Sequence, residues 1–349
     1  MKAFSILQTA GAAIGILIAG SFTNPEGGRA LAQAGLTALT VQSPGTVIKF
    51  FAVPGGVLLQ AGRGRVCRVA VSGDRVELQP DTGAPLPRAQ LLAAMIPNGG
   101  IAQGSRNIRR AWLVSPTHRY PHGALGDKIE AGGVRAILPS GVSVEYRLDA
   151  ASVFEDLTPR LIDLDADGKD EIAVVRSYLG RGSALAVFSA EETGMRLFAE
   201  SRPIGATNRW LNPVGAGNFD GDGEVELAAV VTPHIGGVLT VYKYSRGSLR
   251  PIYSRFGFSN HAMGSRELGM SAITDADGDG VVDIVLPDAS RRNVKAMTVR
   301  GRRFGELAIA RHTTEVKTNM VAVDLDGRPG EEVVYGLEDN TVVVLRFRR

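Results

Sequence analysis

Three acidic segments constrain this chain more than anything else in it: Asp163-Leu-Asp-Ala-Asp-Gly168, Asn218-Phe-Asp-Gly-Asp-Gly223 and Asp275-Ala-Asp-Gly-Asp-Gly280. Each is followed at the same offset by a carboxylate and an apolar run: Glu171-Ile-Ala-Val-Val, Glu226-Leu-Ala-Ala-Val-Val and Asp283-Ile-Val-Leu. A weaker fourth copy begins at Asp324, with Arg328 at its fifth position and Pro329 at its sixth. The four first positions, 163, 218, 275 and 324, are 55, 57 and 49 residues apart. Repetition at that period means a fold assembled from similar units of about 50 residues.

The spacing within each copy is that of an oxygen-lined cation loop. Side chains at positions 1, 3 and 5 of a tight loop converge on one point. A backbone carbonyl at position 7 and a carboxylate at position 9 complete the shell of about seven oxygens that calcium takes. Glycine at position 6 allows the sharp turn. The expected ligands are Asp163, Asp165, Asp167, the Lys169 carbonyl and Glu171 in the first loop. The second offers Asn218, Asp220, Asp222, the Glu224 carbonyl and Glu226, and the third Asp275, Asp277, Asp279, the Val281 carbonyl and Asp283. The closing carboxylate stands at position 9 rather than 12, and strands follow instead of helices, so these are not EF-hands. Ca2+ at about three structural sites is the expectation. In the fourth copy the Arg328 guanidinium is expected to serve Asp324 and Asp326 as a built-in cation.

Short strands fill the chain between the loops. After each loop come an apolar strand, a turn and a second strand: Ser183–Phe188, Gly237–Tyr242, Asn293–Val299 and Asn340–Phe347. The first half has strand text without acidic loops: Thr46–Phe51, Gly56–Leu59, Arg75–Leu78, Val134–Leu138 and Val142–Tyr146. Gln90–Ile96 reads as one short helix, and otherwise long amphipathic stretches are scarce. Three or four antiparallel strands per 50 residues describe the blade of a β-propeller. Dividing the 317 residues after Ala32 by a mean interval of about 54 gives about six blades, with seven the next count. The strand Leu36–Val41 could close such a ring against the last blade, covering an exposed edge.

On these loops and strands, from about Thr158 to Phe347, the chain resembles the FG-GAP/VCBS repeat family. Those are calcium-binding propeller blades of integrin α-chains and of many exported bacterial proteins. The resemblance implies that the loops are structural and that function lies elsewhere. It divides a single propeller domain, 33–349, into degenerate blades over 33–157 and FG-GAP/VCBS-like blades over 158–349.

Residues 1–32 read as an export signal: Lys2, an apolar run from Ala10 to Gly20 too short to span a bilayer, and the small-x-small site Ala30-Leu-Ala32. The expected location is periplasmic or secreted, with no transmembrane segment after cleavage. Cys67 is the single cysteine, so no internal disulfide forms, and it alternates with Val69 and Val71 as a buried strand residue. The formal charge is +3, with scattered arginines and no basic stripe interleaved with aromatics, which gives no nucleic-acid footprint.

Function is expected in the loops that precede the acidic motifs, because equivalent links of successive blades converge. Arg209, Trp210, Asn212, His234, His261, Arg266 and Glu267 are the candidate ligand-binding residues. Trp and Arg suit sugar stacking or anion binding. The same residues could instead lock neighbouring blades. No H-E-x-x-H, G-x-S-x-G or P-loop occurs, and no catalytic residue is assigned. The reading is a binding module for a protein or glycan partner. Its rivals are an enzyme acting on polysaccharide, with Glu267 and Asp127 as its carboxylates, and a structural envelope or assembly factor.

Overall fold

The computed structural model describes residues 35–348 except 84 and 87–89, so the expected export signal lies outside the described residues. All regular structure among them is β, in 25 strands. The first strand, β1 (Gly35–Gln42), stands apart from its sequence neighbours. Unit I follows as β2 (Val47–Val53), β3 (Gly56–Ala61), β4 (Arg65–Ser72) and β5 (Arg75–Pro80). Unit II is β6 (Ile101–Gln103), β7 (Arg110–Thr117), β8 (Glu130–Ile137) and β9 (Ser143–Arg147). A three-residue strand, β10 (Ser152–Phe154), bridges β8 to the next unit. Unit III is β11 (Arg160–Ile162), β12 (Glu171–Tyr178), β13 (Gly182–Glu191) and β14 (Gly194–Ser201). Unit IV is β15 (Leu211–Gly217), β16 (Glu226–Val231), β17 (Val238–Ser245) and β18 (Ser248–Phe256). Unit V is β19 (Ala272–Thr274), β20 (Asp283–Pro287), β21 (Asn293–Arg300) and β22 (Arg303–Arg311). Unit VI has β23 (Val321–Val323), β24 (Glu332–Gly336) and β25 (Thr341–Arg348).

Every unit is an antiparallel meander, and unit VI takes its fourth strand from the other end of the described chain. There β1 pairs with β25 along its whole length, from Gly35 opposite Arg348 to Gln42 opposite Thr341. The strand expected to close on the last repeat does so, and it covers an edge that would otherwise recruit another chain.

Period-two side-chain alternation explains why the runs after the acidic loops are apolar throughout. In β24, Val333 and Tyr335 pack with unit V while Val334 packs with unit I. In β16, Leu227 and Ala229 join a core shared with units II and III, whereas Ala228 and Val230 join unit V. In β20, Ile284 and Leu286 face unit IV and Val285 faces unit VI. The second strand of each of these units is therefore buried on both faces, and a strand in that position reads as a continuous hydrophobic run. Strands with one wet face alternate instead: in β2 only Val47 and Phe50 are buried. Cys67 is buried in β4, as its alternation predicts.

Two expectations need correction. Residues 90–96 form no helix. Ala94 takes a left-handed φ of 59°, its carbonyl accepts the Ser115 N–H at 3.0 Å, and Met95 bridges to Val114, so pairing with β7 overrides local helix propensity. The built-in cation of the fourth loop is mainly Arg346 rather than Arg328, as the loop geometry below shows. Among the described residues, no helix is long and apolar enough to cross a membrane.

Candidate metal loops and a shared cavity

In units III to VI the acidic loop joins the first strand to the second, and its closing carboxylate is the first residue of the second strand. Glu171, Glu226, Asp283 and Glu332 are all buried. One oxygen of each accepts the N–H of the loop's second residue: Leu164 at 3.0 Å, Phe219 at 3.0 Å, Ala276 at 2.9 Å and Leu325 at 2.9 Å. The position-5 carboxylate accepts the N–H of position 7, so Asp167 holds Lys169, Asp222 holds Glu224 and Asp279 holds Val281, at 2.8, 2.9 and 2.9 Å. The first ligand accepts from within the turn, as Asn218 does from Gly221 at 2.9 Å and Asp275 from Gly278 at 2.7 Å.

The turn needs two left-handed residues, not one. Gly221 and Gly223 have φ of 78° and 91°, and Gly278 and Gly280 have 79° and 88°. In the first loop Ala166 takes 58° at the fourth position ahead of Gly168 at 86°. The fourth position escaped the sequence reading although glycine stands there in two of the three loops. Pro329 displaces the second turn in the fourth copy to Gly330, φ 111°.

This frame brings carboxylate oxygens to within 4.8 Å of one another in four groups: Asp163, Asp165 and Asp167; Asp220, Asp222 and Glu226; Asp275, Asp277 and Asp279; Asp324, Asp326 and Glu332. Such all-oxygen clusters could hold a hard cation. Three buried loop oxygens, Asp163 Oδ1, Asp283 Oδ1 and Asp326 Oδ2, have no hydrogen-bond partner, and of these Asp326 Oδ2 lies 2.8 Å from Arg346 as an ion pair. Burial, backed by the neighbouring acids, pushes the Glu171 and Asp283 carboxyls up to about 7. The donor set and the unpartnered oxygens fit a metal ion.

Basic side chains reach the same groups. Arg106 lies 2.7 Å from Asp163 and 3.4 Å from Asp170. Lys243 contacts Asp222, Glu224 and Glu226 together. Burial opposes its charge, but the three acids outweigh burial and raise its pKa. Arg300 contacts Asp277 and Asp279. In the fourth loop Arg346 lies 2.8 Å from Asp326 and Arg328 only 3.6 Å from it.

Away from the loops, a cavity of about 770 Å³ draws its walls from four units, with Lys49 from unit I, Gln103 from II, Arg160 from III and Val214 from IV, and from the segments entering V and VI, with Ser271 and Asn319. Gln103 and Arg160 also line a second cavity of about 890 Å³ next to the first acidic loop. Of the candidate ligand-binding residues, Arg266 and Glu267 line the 770 Å³ cavity. Arg266 lies 3.3 Å from Asp127, and Glu267 accepts the Gly269 N–H at 2.7 Å and lies 3.9 Å from Lys49.

The other candidates knit units together. Trp210 is buried, donates from Nε1 to the Glu155 carbonyl at 3.0 Å, stacks on His234 and meets His261 edge-on. His234 Nε2 and His261 Nδ1 are 2.7 Å apart, and burial pushes both rings down to about 4. Asn212 is buried and donates to the Asn260 and Leu268 carbonyls, while Arg209 contributes its carbonyl to Ser183. Asn319 adds an amide clamp on the Phe50 backbone, accepting at 2.9 Å and donating at 2.8 Å.

A buried acidic group beside this assembly escaped the sequence reading. Glu130 lies one residue from the Ala131–Phe154 pair of β8 and β10, opposite Glu155. Glu155 is bound by His122 at 2.6 Å and by Ser177. Glu130 is 1% exposed and neither of its oxygens has a partner. Burial, then Glu155, Asp127 and Asp156, push its carboxyl up to about 10.

The chain matches no protein-family model, and comparison with curated proteins gives no match.

Proposed function

We propose that the chain is an exported, calcium-stabilised β-propeller of six blades that acts as a binding module, with a glycan in the cavity shared by its units. Closure into a ring is supported by the face-to-face cores of successive units and by β1 completing unit VI. The acidic loops, as in the FG-GAP/VCBS repeats they resemble, offer structural calcium sites within blades III to V. Charge count and oxygen chemistry favour calcium over softer metals.

The observation that carries the binding reading is the 770 Å³ cavity lined by units I to IV and by the segments leading into units V and VI. Its size suits a ligand of a few sugar residues. Its cations are matched: Arg160 with Asp156 at 2.6 Å, Arg266 with Asp127, and Lys49 with Glu267. Paired charges and side-chain amides, Asn98, Gln103 and Asn319 among them, offer donors and acceptors without a strong net field. That chemistry suits hydroxyl-rich ligands better than anions. Glu267 lies in the cavity, but its Lys49 and Gly269 contacts make it a wall of the site, and no second carboxylate faces it among the lining residues. Binding is therefore favoured over hydrolysis.

Titration calorimetry with neutral and uronic-acid oligosaccharides tests this. Binding that Arg266→Ala or Asn98→Ala weakens supports the reading. Heat from no oligosaccharide, or binding indifferent to both substitutions, would sink it.

A further inference from the structure

The four acidic loops share a backbone frame, yet differ at one position outside the loop: the residue of the third strand that faces the closing carboxylate. Glu226 pairs directly with Lys243. Counting one residue on from the pairs Ile172–Phe188, Ile284–Met297 and Val333–Leu345 gives Ser189 opposite Glu171, Thr298 opposite Asp283 and Arg346 opposite Glu332. Two loops thus face a hydroxyl and two face a cation.

The closing carboxylates behave accordingly. In the second loop the oxygen of Glu226 not used by the backbone lies 3.2 Å from Lys243 Nζ, which also lies 3.0 Å from Glu224 and touches Asp222. In the fourth, Arg346 is 3.6 Å from Glu332 and 2.8 Å from Asp326. Arg346 is also held from behind by Asp74 at 3.0 Å and the Gly73 carbonyl at 2.9 Å, in the β4–β5 turn of unit I. In the third loop Asp283 is 1% exposed and its Oδ1 has no partner. Arg300 enters that loop from two residues beyond Thr298, contacts Asp277 and Asp279 but not Asp283, and its side chain is 36% exposed against 23% for Lys243. In the first loop Asp163 Oδ1 is buried without a hydrogen-bond partner, and Arg106, half exposed, reaches only the other oxygen, Oδ2, at 2.7 Å.

We propose that this facing residue selects the cation of each loop. The loops of units III and V take calcium, Lys243 guards the loop of unit IV against it, and Arg346 closes the loop of unit VI in its place. The inference rests on the calcium reading and refines it. The charge balance agrees. The first and third loops supply four carboxylates each against one partly exposed arginine, Arg106 and Arg300, the second supplies three and an amide against Lys243, and the fourth supplies three against Arg346 and Arg328. Calcium affinity follows ligand charge, and an ammonium at the metal position must be displaced before the ion can enter. Lys243, on a flexible four-carbon stem, can be displaced at a cost in affinity. Arg346, clamped between two units, cannot.

Calcium titration of the full chain by calorimetry, with calcium the only ligand, tests the rule. The wild type is expected to take two ions tightly, with Asp283→Asn losing one of them. Lys243→Ser is expected to tighten a third site by roughly tenfold or more. Should that variant fold poorly, Ser189→Lys tests the same rule in reverse and is expected to remove one tight site. Three equal sites in the wild type, with neither Lys243→Ser nor Ser189→Lys changing the count or affinity, would overturn the selection while leaving the calcium reading intact. No uptake by the wild type would overturn both.

Discussion

Replacing Glu130 with glutamine should stabilise this protein, and by an amount that depends on pH. Glu130 starts β8 facing Glu155, is almost wholly buried, and has no partner for either oxygen. Its carboxyl is pushed from 4.5 up to about 10, first by burial and then by Glu155, Asp127 and Asp156. The native protein therefore keeps the proton that the unfolded chain releases above pH 4.5. A folded-state value above the unfolded one means that the group's contribution is most favourable below pH 4.5 and declines as pH rises toward 10. At pH 7.5 the gap is about three pH units, and at about 1.4 kcal/mol per unit holding that proton costs about 4 kcal/mol. Against a total stability of about 5–15 kcal/mol this is large. Glutamine keeps the shape, leaves a comparable amide without partners and has no proton to hold.

Urea unfolding of wild type and Glu130→Gln from pH 5 to pH 9 measures the difference, in which the carboxylates common to both proteins cancel. The variant should gain on the wild type by about 1.4 kcal/mol per pH unit, with the two converging near pH 4.5. A constant gap, or a variant whose deficit grows with pH, would show that Glu130 is ionised and bound to a cation, and would refute the reasoning.

Four further outcomes are expected. Chelation should lower the melting temperature measured by scanning calorimetry and added calcium should restore it, each site held at a hundred times its Kd adding about 2.7 kcal/mol. The His234–His261 pair, depressed to about 4 by burial, contributes stability that is complete above pH 6.5 and is lost as pH falls from 6.5 to about 4, at up to about 1.4 kcal/mol per unit for each ring; His261→Gln should flatten that limb of a pH series of urea melts. Asn319→Ala strips two hydrogen bonds from the Phe50 backbone and should cost about 2 kcal/mol by the same urea assay, whereas no change would mean that water replaces the clamp. Deleting residues 1–42 removes β1 from β25 and bares an edge, so the product should aggregate or lose its single cooperative transition in light scattering and thermal melts.

What could be read from the sequence divides along the distance over which the determining forces act. The loops were legible because the spacing of their acids and the turn geometry are set within nine residues, and the runs after them because burial on both faces makes residues 172–175 of β12 apolar without alternation. The helix expected at 90–96 failed because Ala94 and Met95 answer to Ser115 and Val114, about 20 residues away. Glu130 escaped the sequence reading, since nothing nearby in sequence tells that Glu155 and the bridging strand β10 will bury it. Trp210, His234 and His261 lie on three different connections, so their stacking follows from how units meet rather than from any local pattern. The placement of Lys243 at the second loop lies between these extremes. The acids of the second loop span nine residues, while Lys243, which occupies them, comes 17 residues after Glu226. A motif scan stops at the loop and counts the two hydroxyl-faced copies and the lysine-faced copy as equals. Following the hairpin register one strand further separates them, because strand pairing converts a fixed offset in sequence into direct opposition in space.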